Sequence, residues 1–294
     1  RYTLVLFDAN ADITSGLCMA LGAFYLCLAY AVNILSPKIA GKFEVSATVI
    51  KLIPLAIIVV VGTIAGLING NTTEAFTTAV ETSGGDISSI FSGIAAAAFA
   101  YEGWIIATSI NAEIKDSRKN LPRALIFGSL AVIIIYILYY VGLAGGIPNA
   151  VMMEGGETGA RLAFEAVFGK IGGTAVFVFV IISCLGTLNG LMLGCTRGLY
   201  SITTRGRGPS PKVFADVDKN TNMPGNSAIF GLLLCAGWLF YFYCASFSSF
   251  SDKLGMFAFD PTELPIITTY AMYIPIFISM LFKEKGLGVV KGKI

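Results

Sequence analysis

Few side chains in this sequence could do chemistry, and the ones that stand out are charges in apolar surroundings. Glu102 sits beside Gly103 inside Ser92-Gly-Ile-Ala-Ala-Ala-Ala-Phe-Ala-Tyr-Glu-Gly-Trp104. Lys51 sits inside Ser46-Ala-Thr-Val-Ile-Lys-Leu-Ile-Pro54. Asn189 and Thr187 interrupt Ser183-Cys-Leu-Gly-Thr-Leu-Asn-Gly-Leu-Met-Leu-Gly-Cys-Thr-Arg197. Histidine is absent, which removes His-ligated metals and imidazole catalysis. The six cysteines lie in apolar stretches without metal-ligand spacing and read as small buried hydrophobes. No Ser/His or Ser/Lys pair, paired aspartates or HExxH motif supports a hydrolase. The chemistry left is non-covalent: holding a small polar solute, an ion or a proton.

An acid at bilayer depth costs about 2.5–3.5 kcal/mol on insertion scales, so Glu102 must face protein or water. Three roles stay open for it: meeting a cationic substrate, carrying a proton, or pairing with a base such as Lys51. Gly103 next to it can relax the backbone. A broken helix is tolerated only where its freed N–H and C=O groups line a cavity or are buried in protein. The other reading is an unbroken helix with a small-residue packing face. Lys51 either snorkels to the interface or is a buried ammonium that props a neighbouring element. Gly186, Gly190 and Gly194 recur every fourth residue, a stripe for close helix packing.

The elements that must position these residues are membrane spans. Of 294 residues, 55% are hydrophobic and only 13% charged, whereas a soluble domain carries about 25% charged residues. A net charge of +2 gives no case for nucleic acid. Seven apolar stretches are long enough to span, at about 15–34, 47–69, 87–110, 122–147, 172–200, 226–246 and 263–282. Period-2 alternation is absent, which argues against a barrel. The gaps after the first, third, fifth and seventh spans hold fifteen basic residues, and the others hold three together with most of the loop acids. The positive-inside rule therefore puts 111–123 and 204–224 in the cytoplasm and 70–86 and 148–170 outside. The chain begins at Arg1 and ends in the basic stretch Lys283 to Ile294, so both ends read as cuts.

Phe99-Ala-Tyr-Glu-Gly-Trp104, followed by Glu113-Ile-Lys-Asp-Ser-Arg-Lys-Asn-Leu-Pro-Arg123, resembles the signature of the amino acid–polyamine–organocation superfamily. Within it the chain is most similar to the L-type amino acid transporter branch and bacterial serine/threonine or alanine-type exchangers. Asn33-Ile-Leu-Ser-Pro-Lys38 with Ala47 to Leu52, and Gly186 through Arg197 with Tyr200 and Arg205, extend the resemblance over nearly the whole chain.

The resemblance implies an all-α integral membrane fold, a partial five-plus-five inverted-repeat (LeuT-like) transporter bundle. Residues 1–294 would form one transmembrane domain covering helices four to ten of twelve. It also implies a secondary amino-acid transporter, an exchanger working by alternating access, with no cofactor. A proton-coupled amino-acid or polyamine permease and an inactive helix-packing fragment are the alternatives. Phe99 would be the aromatic gate, with Ala98, Ala100, Tyr101, Glu102, Gly103 and Asn189 around the substrate. Lys51 and Thr187 would have coupling or structural roles. Family members that accept cationic amino acids can carry an acid where Glu102 stands. Residues 1–14 lack the cysteine through which eukaryotic relatives bind a heavy chain, so the expectation is a bacterial cell-membrane protein without that partner.

Overall fold

The computed structural model describes residues 2–7, 16–77, 87–109, 111, 114–246, 251–255, 259, 261 and 263–283. The signature residue Glu113, the acids Glu81 and Asp86 and the basic tail beyond Lys283 lie outside the described residues. The described residues form helices and turns without a strand. Six of the helices are long and apolar enough to cross a membrane.

We number the long helices α1 (Gly16–Leu35), α2 (Pro37–Ile57), α3 (Ile87–Ala100), α4 (Ser117–Gly146), α5 (Gly159–Thr203), α6 (Gly225–Ser246) and α7 (Glu263–Lys283). Several run past their apolar stretches. Hydropathy reports contact with lipid, whereas backbone hydrogen bonding continues into the charged flank. Thus α2 starts at Pro37 and takes in Lys38, Lys42 and Glu44. Pro37 suits a first helical position, where its missing N–H would have no acceptor. Pro54 inside α2 removes one ladder bond, and the helix widens to a π turn over Ile58–Gly62 before continuing as Thr63–Asn69. Helix α5 carries a break at Gly169, whose φ of 71° is left-handed.

The chain folds into two compact units. The first comprises residues 1–85 and 103–236. Its apolar core is Ile58, Leu143, Ile147, Ala163, Phe164 and Val176, contributed by α2's π turn, the end of α4 and the start of α5. The backbones approach closely because glycine faces glycine. A methyl group on Gly142 would collide with the backbone of Ile58 and Val59, and one on Gly62 with that of Gly142. Without a hydrophobic drive between helices in lipid, such close packing is what holds spans together. Outward, Ile126, Phe127, Leu130, Ile134 and Ile137 of α4 are exposed along the helix, an apolar flank suited to lipid or another helix rather than water.

The second unit comprises residues 86–102 and 237–294, that is α3, the end of α6 and α7. Within it, Trp238 Nε1 donates to the Pro261 carbonyl at 3.3 Å, which ties the end of α6 to the segment leading into α7.

Candidate functional site

The third apolar stretch is not one helix. Its first part, α3, ends at Ala100, residues 101–105 form turns, and a short helix Ile106–Ser109 follows. Gly103 has φ of +113°, a conformation that a side chain would strain. Bonding changes from the α to the 3₁₀ pattern across the break. Tyr101 N donates to Ala97 O at 3.0 Å, but Glu102 N turns to Phe99 O at 3.2 Å. Ile106 N then bonds Gly103 O at 3.1 Å, and Ala107 N bonds Trp104 O at 3.2 Å. Of the two readings of this stretch, the structure shows the interrupted helix.

The freed carbonyl has a new donor. In an unbroken helix Ala98 O would accept from Glu102 N. Here it accepts the Tyr270 hydroxyl at 3.3 Å. One turn on, the Tyr273 hydroxyl donates to Glu102 Oε1 at 3.1 Å. The two tyrosine rings pack edge to face at 5.4 Å, and Tyr273 is only 8% exposed. The other carboxylate oxygen, Glu102 Oε2, is buried and has no hydrogen-bond partner. Phe99 and Tyr101 are exposed beside it, at 61% and 36%. The site is therefore a helix end with an exposed aromatic, a freed backbone and a carboxylate with one oxygen to offer. Its partner is a phenol, not an ammonium. Tyr270 and Tyr273 were invisible to sequence reasoning, because a tyrosine pair at i, i+3 in an apolar helix looks like core.

Of the expected site residues, Ala98 to Glu102 belong to the second unit, and Asn189, Thr187 and Lys51 belong to the first. Asn189 is 5% exposed and holds α1 and α2 to α5. Its Oδ1 accepts from Asn33 Nδ2 at 2.9 Å, and its Nδ2 donates to Ala40 O at 3.2 Å and Glu44 Oε2 at 3.0 Å. Asn33 itself is 1% exposed and also donates to Ala29 O at 2.9 Å. Both amide protons of Asn189 are thus taken. Around it the glycine stripe packs as its spacing predicts. A methyl group on Gly186 would come within 2.9 Å of Ala47 Cβ, and one on Gly190 within 3.4 Å of Glu44 Oε1.

Thr187 is exposed on α5. Lys51 is half-buried, and it stands on α2 between the buried Ala47 and Pro54, on the face that packs. From Pro37 to Lys51 is about 21 Å of helix rise, of which the turns with Lys38, Lys42 and Glu44 are charged flank. Glu44, two turns before it, is engaged by Asn189. The six cysteines are unbridged, and none is buried, which corrects the expectation of buried thiols. Among the described residues no cluster of His, Cys, Asp and Glu could hold a metal ion.

These features define a class: a polytopic α-helical membrane protein with an interrupted helix bearing a half-buried carboxylate. The chain belongs to the amino acid permease family, whose sequence model matches residues 1–288. It is 29% identical over 271 residues to the serine/threonine exchanger SteT of Bacillus subtilis, covering 92% of this chain and 57% of that protein. It is 26% identical over 210 residues to the lysine-specific permease LysP of Lactococcus lactis, covering 66% of this chain and 41% of the relative. With the human cystine/glutamate transporter it shares 26% identity over 224 residues, covering 76% and 44%. The chain thus spans about half the length of the curated relatives it matches.

Proposed function

We propose that the protein to which this chain belongs carries amino acids across the membrane by alternating access, as an exchanger, with the substrate held at the break around residues 98–103. The observation that carries this reading is the interrupted helix with Gly103 in a left-handed conformation and Glu102 beside it. Backbone groups at such a break can take over part of the hydration of an α-amino or α-carboxylate group, because their direction is already fixed. Phe99, exposed at the helix end, closes over the ligand.

The relatives' names speak of hydroxyl, cationic and anionic substrate side chains, so family membership leaves the side chain open. Glu102 narrows it. Its Oε2 takes a cationic side chain, and the attraction at 4 Å with an effective dielectric of about 20 is on the order of 4 kcal/mol before desolvation. Asn189, with its amide protons engaged, is a structural post in this scheme rather than a substrate contact. Lys51 acts through neighbouring backbone rather than on substrate. Location in a bacterial cell membrane without a heavy chain is part of the proposal, supported by the similarity to the Bacillus exchanger.

A second reading, a proton-coupled permease, is favoured by the same oxygen: a half-buried carboxyl with one buried, unpartnered oxygen can carry a proton instead. Uptake by the full-length protein in liposomes decides. Exchange predicts uptake of labelled amino acid only when the vesicles are preloaded with unlabelled amino acid. Uptake into empty vesicles driven by a pH gradient would establish the second reading, and no saturable uptake under either condition would overturn both.

A further inference from the structure

Two thiols meet between helices of the first unit. Cys195 stands on α5 and Cys235 on α6, 40 residues apart in the chain, and their sulfurs are 3.7 Å from each other. Neither takes part in the break around 98–103 or in the Asn189 network.

The helix crossing brings them together. Gly231 lies one turn before Cys235, on the same side of α6. It is buried, and a methyl group there would come within 2.6 Å of the Cys195 carbonyl oxygen and 3.6 Å of Cys195 Cβ. The backbone of α6 therefore rests on α5 at Cys195 itself, an approach that only a glycine permits. A second contact fixes the crossing. Further along α5 and one turn back along α6, Tyr200 N donates to Ser227 Oγ at 3.1 Å, and Ser227 is 1% exposed. The two thiols are thus held as neighbours by backbone packing.

Cys195 is exposed and Cys235 is half-buried. An accessible thiol with a second thiol beside it is the arrangement in which an oxidised sulfur is captured by its neighbour before it oxidises further. Sulfurs already in contact need only side-chain rotation and a small shift of the helices to reach the bonding distance of about 2.05 Å. By the charge pattern this end of α5 is cytoplasmic. Thiols on that side are kept reduced, and a disulfide formed there is transient and redox-sensing.

We propose that Cys195 and Cys235 form a reversible oxidation site, a dithiol that a hydroperoxide converts to a disulfide tying α5 to α6. Cys195, the more exposed, gives up its proton and attacks the hydroperoxide. The O–O bond breaks, the sulfur becomes a sulfenic acid, and the departing oxygen takes up the proton, leaving as an alcohol or, from hydrogen peroxide, as water. Cys235 then attacks that sulfur. The S–S bond forms, the S–O bond breaks, and hydroxide leaves as water with the Cys235 proton. The two thiols lose two electrons and the hydroperoxide gains them. The oxidant is hydrogen peroxide from the cytoplasm or a lipid hydroperoxide from the bilayer, and a reduced dithiol reverses the step by exchange.

The test exposes the full-length protein in liposomes to hydrogen peroxide or to cumene hydroperoxide, blocks free thiols with N-ethylmaleimide, dissolves the vesicles in detergent and cuts with trypsin. The loop between α5 and α6 offers Arg205, Arg207 and Lys219, all exposed. The expected result is that the fragments carrying α5 and α6 run as one band without reductant and separate with dithiothreitol. Mass spectrometry should find a linked peptide pair containing Cys195 and Cys235. Faster closure with cumene hydroperoxide assigns the oxidant to the bilayer, and faster closure with hydrogen peroxide assigns it to the cytoplasm. Cys195→Ser and Cys235→Ser should each abolish the link, which separates it from any disulfide elsewhere in the full chain. If a serine variant fails to fold, the linked peptide of the wild type carries the test alone. Absence of that peptide at a hydroperoxide concentration that oxidises the exposed Cys27 or Cys184 would overturn the proposal. So would Cys195 ending as a sulfinic acid without linkage, or a link between the fragments that survives both serine variants.

Discussion

The two units of this chain use polar groups in different ways. In the first, around Asn189, they join three helices: Asn33, Asn189, Glu44 and the Ala40 carbonyl answer one another, with Asn33 Oδ1 left without a hydrogen-bond partner, and glycines bring the backbones together. In the second, at the end of α3, the helix stops, Phe99 is exposed, and one oxygen of Glu102 has no partner. Unsatisfied buried polar groups cost free energy and are scarce in folded proteins. A network between packed helices rigidifies, whereas a polar atom left over beside a helix break and an exposed aromatic is where a ligand can supply what is missing.

The largest effect should come from breaking the scaffold where it has no slack. Gly142→Leu forces a side chain into the backbone of Ile58 and Val59. Overpacking typically costs about 1–3 kcal/mol and more where backbone must move, so the full-length protein should be lost as a monodisperse species on size exclusion. Normal yield and elution would show that the helix crossing is looser than described.

Glu102→Gln sharpens the other side of the comparison. It keeps the shape and the Tyr273 bond but removes the charge. Lysine or arginine uptake should fall at least about tenfold more than alanine uptake, since charge-assisted bonds are worth roughly 1.5–3 kcal/mol. Equal losses for cationic and neutral substrates would make the carboxylate structural. Loss of pH dependence with selectivity unchanged would make it a proton carrier.

Asn189→Ala should do the reverse. Removing the carboxamide that bonds Asn33, Glu44 and the Ala40 carbonyl costs about 1–3 kcal/mol, read as a lower Tm, while the apparent KM for substrate stays near wild type. A large rise in KM at unchanged Tm would return Asn189 to the substrate shell. Smaller still is the effect expected of Lys51→Ala, which should slow transport several-fold with folding yield kept, because the ammonium lies on the packed face of α2. Wild-type uptake would mean that Lys51 only snorkels.

How much of this was legible in the sequence follows from what each signal measures. Runs of apolar residues mark segments suited to lipid, and of the seven read from the sequence the third is an interrupted helix, while the described residues hold six helices long and apolar enough to cross a membrane. The same signal missed the first ten residues of α2, where Lys38, Lys42 and Glu44 extend the helix past the apolar run. The break in α3 was half legible: Glu102 beside Gly103 raised it, and only backbone geometry decided it. Asn33 and Asn189 stand 156 residues apart, and neither residue's neighbourhood announces the other. Tyr270 and Tyr273 carry no local mark either, since their role exists only through the freed Ala98 carbonyl and the Glu102 carboxylate.

The most direct measurement of the central claim places a single cysteine at position 100, in a cysteine-free background of the full-length protein, and follows its alkylation with and without amino acids. A control cysteine at position 219 lies in the exposed polar loop before α6. If the break holds the substrate, a transported amino acid slows alkylation at 100 and leaves 219 unchanged, with half-protection near the KM for uptake. Alkylation at 100 that ignores saturating substrate, or slows equally at both positions, would contradict a substrate site at the break.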